Sequence, residues 1–156
     1  MKERYLEPIL EAAQYVSNEY FKMEIERTHK KLEKTLAINK EVVIGIGVQG
    51  AIKGLVLIGV SKREAIKLAQ HVLKDKGWED DEEWGDLSQS ALLEFGNELA
   101  AWVMKVYDQE DIKCFISTPR FIDSDQVRQF HQECVRLDVT NKIAEIVIKV
   151  HIKEEK

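Results

Sequence analysis

The sequence predicts an α+β fold, a mostly antiparallel sheet with helices packed on one face, and three observations point to it. Long segments repeat apolar residues at helical spacing, four others alternate or run apolar as strands do, and Gly50 and Asn141 each mark a turn between two such runs. At 156 residues, with 44% apolar and 33% charged residues and two prolines, the chain is expected to form one domain, residues 1–156.

From Arg4 to Lys22 the residues Leu6, Ile9, Leu10, Ala13, Val16 and Tyr20 recur at helical spacing, with Pro8 tolerated in the first turns. Glu24 to Leu36 fits either period. Ile25, His29, Leu32 and Leu36 suit a helix, whereas Glu24, Glu26, Thr28 and Lys30 alternate like the wet face of an edge strand, the preferred reading. Two β-rich runs follow, Glu41 to Val48 and Ala51 to Val60, joined through Gln49-Gly50, where glycine supplies the positive φ of a tight hairpin. Ser61 with Glu64 has capping-box spacing, and Ala65, Ile66, Ala69, Val72 and Leu73 mark a helix ending near Gly77, closed by Trp78 and a charged turn.

The acidic run Glu79-Asp80-Asp81-Glu82-Glu83 precedes the longest helical pattern, Glu82 to Tyr107, and reads as a solvated helix entrance favoured by the helix dipole. A strand over Ile112 to Ile116 comes next, then Thr118-Pro119, where proline biases its predecessor toward extended backbone, and an irregular stretch. The chain closes on a second hairpin. Val135, Leu137 and Val139 alternate with polar neighbours, as do Ala144, Ile146, Ile148, Val150 and Ile152 with Glu145, Lys149 and His151, across an Asn141-Lys142 turn. The sheet is expected to keep one face or one edge open.

Composition excludes several functions. The net charge is −5 and the lysines are dispersed, so the basic stripe of a nucleic-acid binder is absent. No apolar stretch approaches the roughly 20 residues that span a bilayer, and Lys2-Glu3-Arg4 opens the chain without a signal-peptide core, so a cytoplasmic location is expected. Cys114 and Cys134 lack a Cys-x-x-Cys spacing and read as free, small core residues; His29, His71, His131 and His151 show no zinc-site spacing, and no intrinsic metal is expected.

The chemistry concentrates on the longest helix. At about 100° per residue with Glu94 at zero, Asn97 falls at roughly −60°, Ser90 at roughly −40° and Ala101 at roughly −20°, while Ala91, Leu92, Phe95, Leu99, Trp102, Val103 and Val106 fill the opposite arc. Such a stripe is most often only the wet side of a helix. A longer pattern raises it above that: Ser90, three residues, Glu94, two residues, Asn97, twenty-one residues, Pro119. With 19 Glu and 4 Asn, about half of chains of this composition would hold one Glu-x-x-Asn by accident, whereas the whole pattern arises in about one in a thousand.

This pattern, with Ser90-Ala91-Leu92-Leu93-Glu94-Phe95-Gly96-Asn97-Glu98-Leu99-Ala100, resembles the signature of the CheC/CheX family of chemotaxis phosphatases. Gly50 and Gly54, the helix after them and the opening helix occur in the family's order, so the resemblance spans nearly the whole chain. Two-site members repeat the motif on their first helix. Here Glu11-Ala12-Ala13-Gln14 is the nearest candidate, but Glu7 replaces Ser or Asp and Leu36 replaces proline, so that helix reads as structural. One site per chain points to the CheX-like branch and, by resemblance, to a homodimer built through a shared sheet. Ala101 stands where the family commonly has glycine, and the residues of Arg120 to His131 do not match the family's pattern.

The resemblance implies an enzyme that hydrolyses the aspartyl phosphate of a CheY-like response regulator. Asn97 would position the attacking water and Glu94 would pair with the regulator's active-site lysine, with Ser90 at the margin and Pro119 shaping the backbone beside the helix. The chain would need no cofactor of its own, Mg²⁺ being supplied by the bound regulator. The main rival is a non-catalytic regulator-binding or structural module with the same fold.

Overall fold

Alternation along the strands decides which face of the sheet the helices cover. The computed structural model describes residues 1–75, 77, 83–127 and 131–155, with backbone alone at Asp75 and Ser124. Helix α1 (Glu3–Phe21) leads into strands β1 (Glu26–Glu33), β2 (Val42–Gly50) and β3 (Ile52–Val60), then helices α2 (Lys62–Asp75) and α3 (Asp86–Gln109). Strands β4 (Cys114–Ile116) and β5 (Arg120–Phe121), a short helix α4 (Ser124–Val127) and strands β6 (Cys134–Thr140) and β7 (Glu145–Glu154) complete the order. The sheet is antiparallel throughout, ordered β1-β6-β7-β3-β2-β4, with β5 also paired to β2.

The α+β architecture is as expected, with two additions. Among the described residues there are four helices and seven strands, against three and five or six; β5 and α4, two and four residues long, are too short to leave a periodic signal. The ambiguous stretch after α1 is an edge strand, exposed along its length until Glu33. Helix α3 starts at Asp86 rather than Glu82, because buried Ser88 closes its first turn: its hydroxyl accepts from the Gly85 N–H at 2.9 Å and donates toward the Glu83 and Gly85 carbonyls. Trp78 and residues 79–82 of the acidic run lie outside the described residues.

Ile44, Ile46 and Val48 of β2, Val56 and Ile58 of β3, Val135, Leu137 and Val139 of β6, and Ile146, Ile148 and Val150 of β7 face α1, α2 and α3 in one core. Their neighbours on the other side form a second cluster. Val43, Leu57, Cys134 and Val147 are covered there by Leu36, Ile38 and Val127, so a strap between β1 and β2 closes part of the face opposite the helices. Cys134 is buried and Cys114 half-buried; both are free. Lys149, whose place in the alternating pattern put it on the wet side, is instead 1% exposed. Its ammonium meets Glu33 Oε2 at 3.1 Å and the Thr35 carbonyl at 3.0 Å, and also the Ala37 carbonyl, which anchors the strap.

The first hairpin turns where its glycine allows. Gly50 has φ +129°, and a Cβ there would lie 2.7 Å from the Lys113 carbonyl oxygen and 2.8 Å from Cys114 Cα. In the second, the Asn141 Oδ1 accepts from the Ile143 and Ala144 N–H groups, both at 2.8 Å, an Asx turn.

The capping box expected at Ser61 forms and reaches further. Glu64 Oε1 accepts from the Ser61 hydroxyl at 2.8 Å, and Oε2 accepts from the Glu145 N–H at 2.7 Å, tying the start of α2 to the start of β7. Burial pushes the Glu64 carboxyl up, but donation from Glu145 and Ser61 outweighs it and holds the group below its ordinary value of 4.5. A lowered carboxyl stabilises the fold above the unfolded pKa, and that contribution is lost as pH falls through the folded value. Glu64→Gln should therefore flatten the loss of stability between about pH 5 and pH 3 in urea unfolding. An unchanged pH slope would contradict this.

Candidate functional site

Helix α3 buries Ala91, Leu92, Phe95, Leu99 and Val103 in the core it shares with the sheet and α1, leaving Ser90, Glu94, Asn97 and Ala101 exposed in one row. The three polar motif residues therefore share a stripe on the outer surface of the helix. Such a surface suits a macromolecular partner, since small-molecule sites are concave.

Pro119 reaches this helix from the sheet. The chain from β4 to β5 runs along β2, pinned by the Ser117 N–H to the Gly47 carbonyl at 2.9 Å, the Gly47 N–H to Ser117 Oγ at 2.8 Å, and the Ile122 N–H to the Val43 carbonyl at 2.9 Å. Between these anchors Thr118-Pro119 arches toward α3 and buries Pro119 against Gly96, next to Asn97. A Cβ at residue 96 would lie 3.1 Å and 3.2 Å from two Pro119 ring carbons and 3.6 Å from Ile44 Cγ2. The structure thus brings all four motif residues to one helix and its flank.

Two contributors carried no signature in the motif. Gly96 costs a helix interior about 1 kcal/mol relative to alanine, and that cost is itself the sign of a packing requirement. Gly96→Val should destabilise the protein by about 1 to 3 kcal/mol by forcing α3 from the Pro119 arch, whereas Gly96→Ala offsets its crowding with better helix propensity. Thermal unfolding of the two variants checks this; equal midpoints would refute it. Tyr20, at the end of α1, is the second. Its ring meets Phe95 edge-on, with centroids 6.3 Å apart at 74°, and its hydroxyl lies near the Glu98 and Glu94 carboxylates. Burial first, and then the negative charges of Glu98 and Glu94, push that hydroxyl up to about 12, so it remains a donor at neutral pH.

Helix α1 lies alongside α3, held by Tyr107, whose buried hydroxyl donates to the Tyr5 carbonyl, and by a Tyr15–Trp102 stack at 3.9 Å. Glu7, Glu11 and Gln14 of α1 are exposed, but Leu36 is buried on the opposite face of the sheet. That leucine supplies no counterpart of the Pro119 arch. Among the described residues no group of three or more His, Cys, Asp or Glu is placed to hold a metal ion, and no helix is long and apolar enough to cross a membrane.

No protein-family model and no curated protein sequence matches the chain. Solved structures do. A CheC-like superfamily protein from Shewanella sp. PV-4 superposes with a TM-score of 0.80 at 15% identity, covering 98% of this chain and 99% of that one. The chemotaxis protein CheX from Vibrio vulnificus gives 0.77 at 14% identity, covering 96% and 99%. CheX in a CheX–CheY–BeF₃–Mg²⁺ complex from Borrelia burgdorferi gives 0.73 at 23% identity, covering 96% and 98%. Over almost its entire length, the chain has the fold of the CheC-like and CheX chemotaxis proteins.

Proposed function

We propose that this chain binds a CheY-like response regulator in chemotaxis signalling and hydrolyses its aspartyl phosphate. The observation that carries the reading is the exposed row of Glu94 and Asn97 on α3, backed at Gly96 by Pro119. The CheX relative crystallised with CheY supports the choice of partner.

An aspartyl phosphate is a mixed anhydride whose hydrolysis needs a water in line with the scissile P–O bond and stabilised equatorial charge. The products are inorganic phosphate and the free aspartate carboxylate. Asn97 suits that task without acting as a base: its carbonyl oxygen accepts from the water while its amide N–H donates to a phosphoryl oxygen. Glu94, one turn earlier, pairs with the regulator's active-site lysine and sets the register. The regulator's own Mg²⁺ neutralises phosphoryl charge, so this chain contributes two side chains. Ser90 stays small at the margin, and Pro119 holds the backbone beside Asn97. Two copies joined at a sheet edge belong to the same reading, supported by Phe115, 78% exposed on edge strand β4.

The test is phosphate release from a phosphorylated CheY-like regulator with Mg²⁺ present, with and without the chain. Acceleration supports the enzyme; binding without acceleration favours a docking module, and absence of both rejects the reading.

A further inference from the structure

Strand β2 pairs with both β4 and β5, but the two pairings do not share one register. Ile116 pairs with Val48, which sets Ser117 opposite Gly47, whereas Arg120 pairs with Gly45. Thr118 and Pro119 therefore span the stretch where β2 has Ile46 alone, a β-bulge of one extra residue. Its effect is a change of face. Cys114 and Ile116 pack against the main core before the bulge and Phe121 after it, so the inward positions pass from even numbers to odd. Pro119 rather than Thr118 thus turns to α3: the proline is buried against Gly96 and the threonine is exposed.

The hydrogen bonds at Ser117 show what starts the bulge. Directly opposed residues of an antiparallel pair can exchange two N–H···O=C bonds. Here the Ser117 N–H donates to the Gly47 carbonyl at 2.9 Å, but the Gly47 N–H donates at 2.8 Å to Ser117 Oγ. The side-chain oxygen stands in for the backbone carbonyl of the same residue. The chain can then leave β2 after Ser117 while the Gly47 N–H stays paired. Residue 47 has no side chain to obstruct this, since a Cβ there would lie 3.2 Å from the hydroxyl oxygen.

Resting on the proposed phosphatase reading, we infer that Ser117 is a positioning residue for Asn97: its hydroxyl fixes the place of the bulge, the bulge turns Pro119 onto Gly96, and that contact sets the height of α3 from which Asn97 reaches the phosphoryl group. Ser117 touches no reacting atom and acts only through the arch. A misplacement of about 1 Å costs an oriented reaction up to about 100-fold. Removing the hydroxyl alone leaves the Ser117 N–H bond to Gly47 in place, so a smaller loss is expected. The exposed row on α3 remains available to the regulator, so the loss falls on turnover rather than on binding.

The experiment measures steady-state dephosphorylation of a phosphorylated CheY-like receiver domain with Mg²⁺, using the full chain and its S117A, S117T and G47A forms. Amide hydrogen exchange at Gly47 in the two Ser117 variants reports the local bond, and thermal unfolding is the fold control. S117A is expected to lower kcat about 3- to 10-fold with KM within about twofold of native, and to speed exchange of the Gly47 amide. S117T, which keeps the hydroxyl, should retain native kcat and native exchange. G47A, which crowds the hydroxyl, should lower kcat as S117A does. A merely structural role predicts something else: a lower unfolding midpoint with native kcat wherever the variant is folded. Native kcat in S117A, an S117T form as slow as S117A, or a rise in KM in place of the fall in kcat overturns the inference and leaves the phosphatase intact. Failure of the native chain to accelerate dephosphorylation overturns the phosphatase reading and this inference with it.

Discussion

Asn97→Ala is expected to slow regulator dephosphorylation by about 2 to 4 kcal/mol of transition-state stabilisation, roughly 30- to 1,000-fold. The size follows from what the amide does. In the proposed mechanism it holds the water in line and donates to charge that grows as the P–O bond breaks, so its contribution is greatest in the transition state. Alanine supplies neither contact, and solvent cannot restore a preorganised orientation. Asn97 is exposed, so the substitution should change folding stability by no more than about 0.5 kcal/mol. Phosphate release under single-turnover conditions measures the loss, with the unfolding midpoint as control. A variant that accelerates dephosphorylation as fully as the native chain removes Asn97 from the mechanism.

Lys149→Ala is expected to cost about 3 to 5 kcal/mol of folding stability, a large share of the roughly 5 to 15 kcal/mol that holds a domain together. Lys149 is 1% exposed and its ammonium meets three acceptors: Glu33, the Thr35 carbonyl and the Ala37 carbonyl. Its removal leaves Glu33 to Arg136, 3.2 Å away, and leaves two strap carbonyls without that donor. The strap then loses its hold on the sheet, against which its Leu36 and Ile38 are each 3% exposed. Lys149→Met, which keeps the length without the charge, should fall between native and alanine because packing survives and hydrogen bonding does not. Urea unfolding separates the three; a loss below about 1 kcal/mol for Lys149→Ala would mean that the strap does not depend on this ammonium.

Where burial is one-sided and continuous, the sequence was readable. α1, α2, α3 and the two hairpins lie within a few residues of the expected positions, since each carries a period set by one buried face. The strand preferred over a helix at β1 rested on alternating polar residues in the sequence, and it forms as an edge strand exposed until Glu33. Two kinds of element escaped. β5 and α4 are shorter than any period, and the strap over 34–40 is irregular chain whose burial comes from the sheet beneath it.

Ser90, Glu94 and Asn97 share a face because a helix repeats every 3.6 residues, so their chemical grouping was determined before any folding was considered. Which residues support that face was not. Pro119 meets Gly96 only because the chain between β4 and β5 is pinned to β2, and Tyr20 reaches Phe95 only because α1 lies against α3. Lys149 is buried only because residues more than a hundred positions earlier fold across it. Periodicity reports the environment of a residue averaged over its own segment, whereas these contacts join segments far apart in sequence, and tertiary structure alone decides which of them meet.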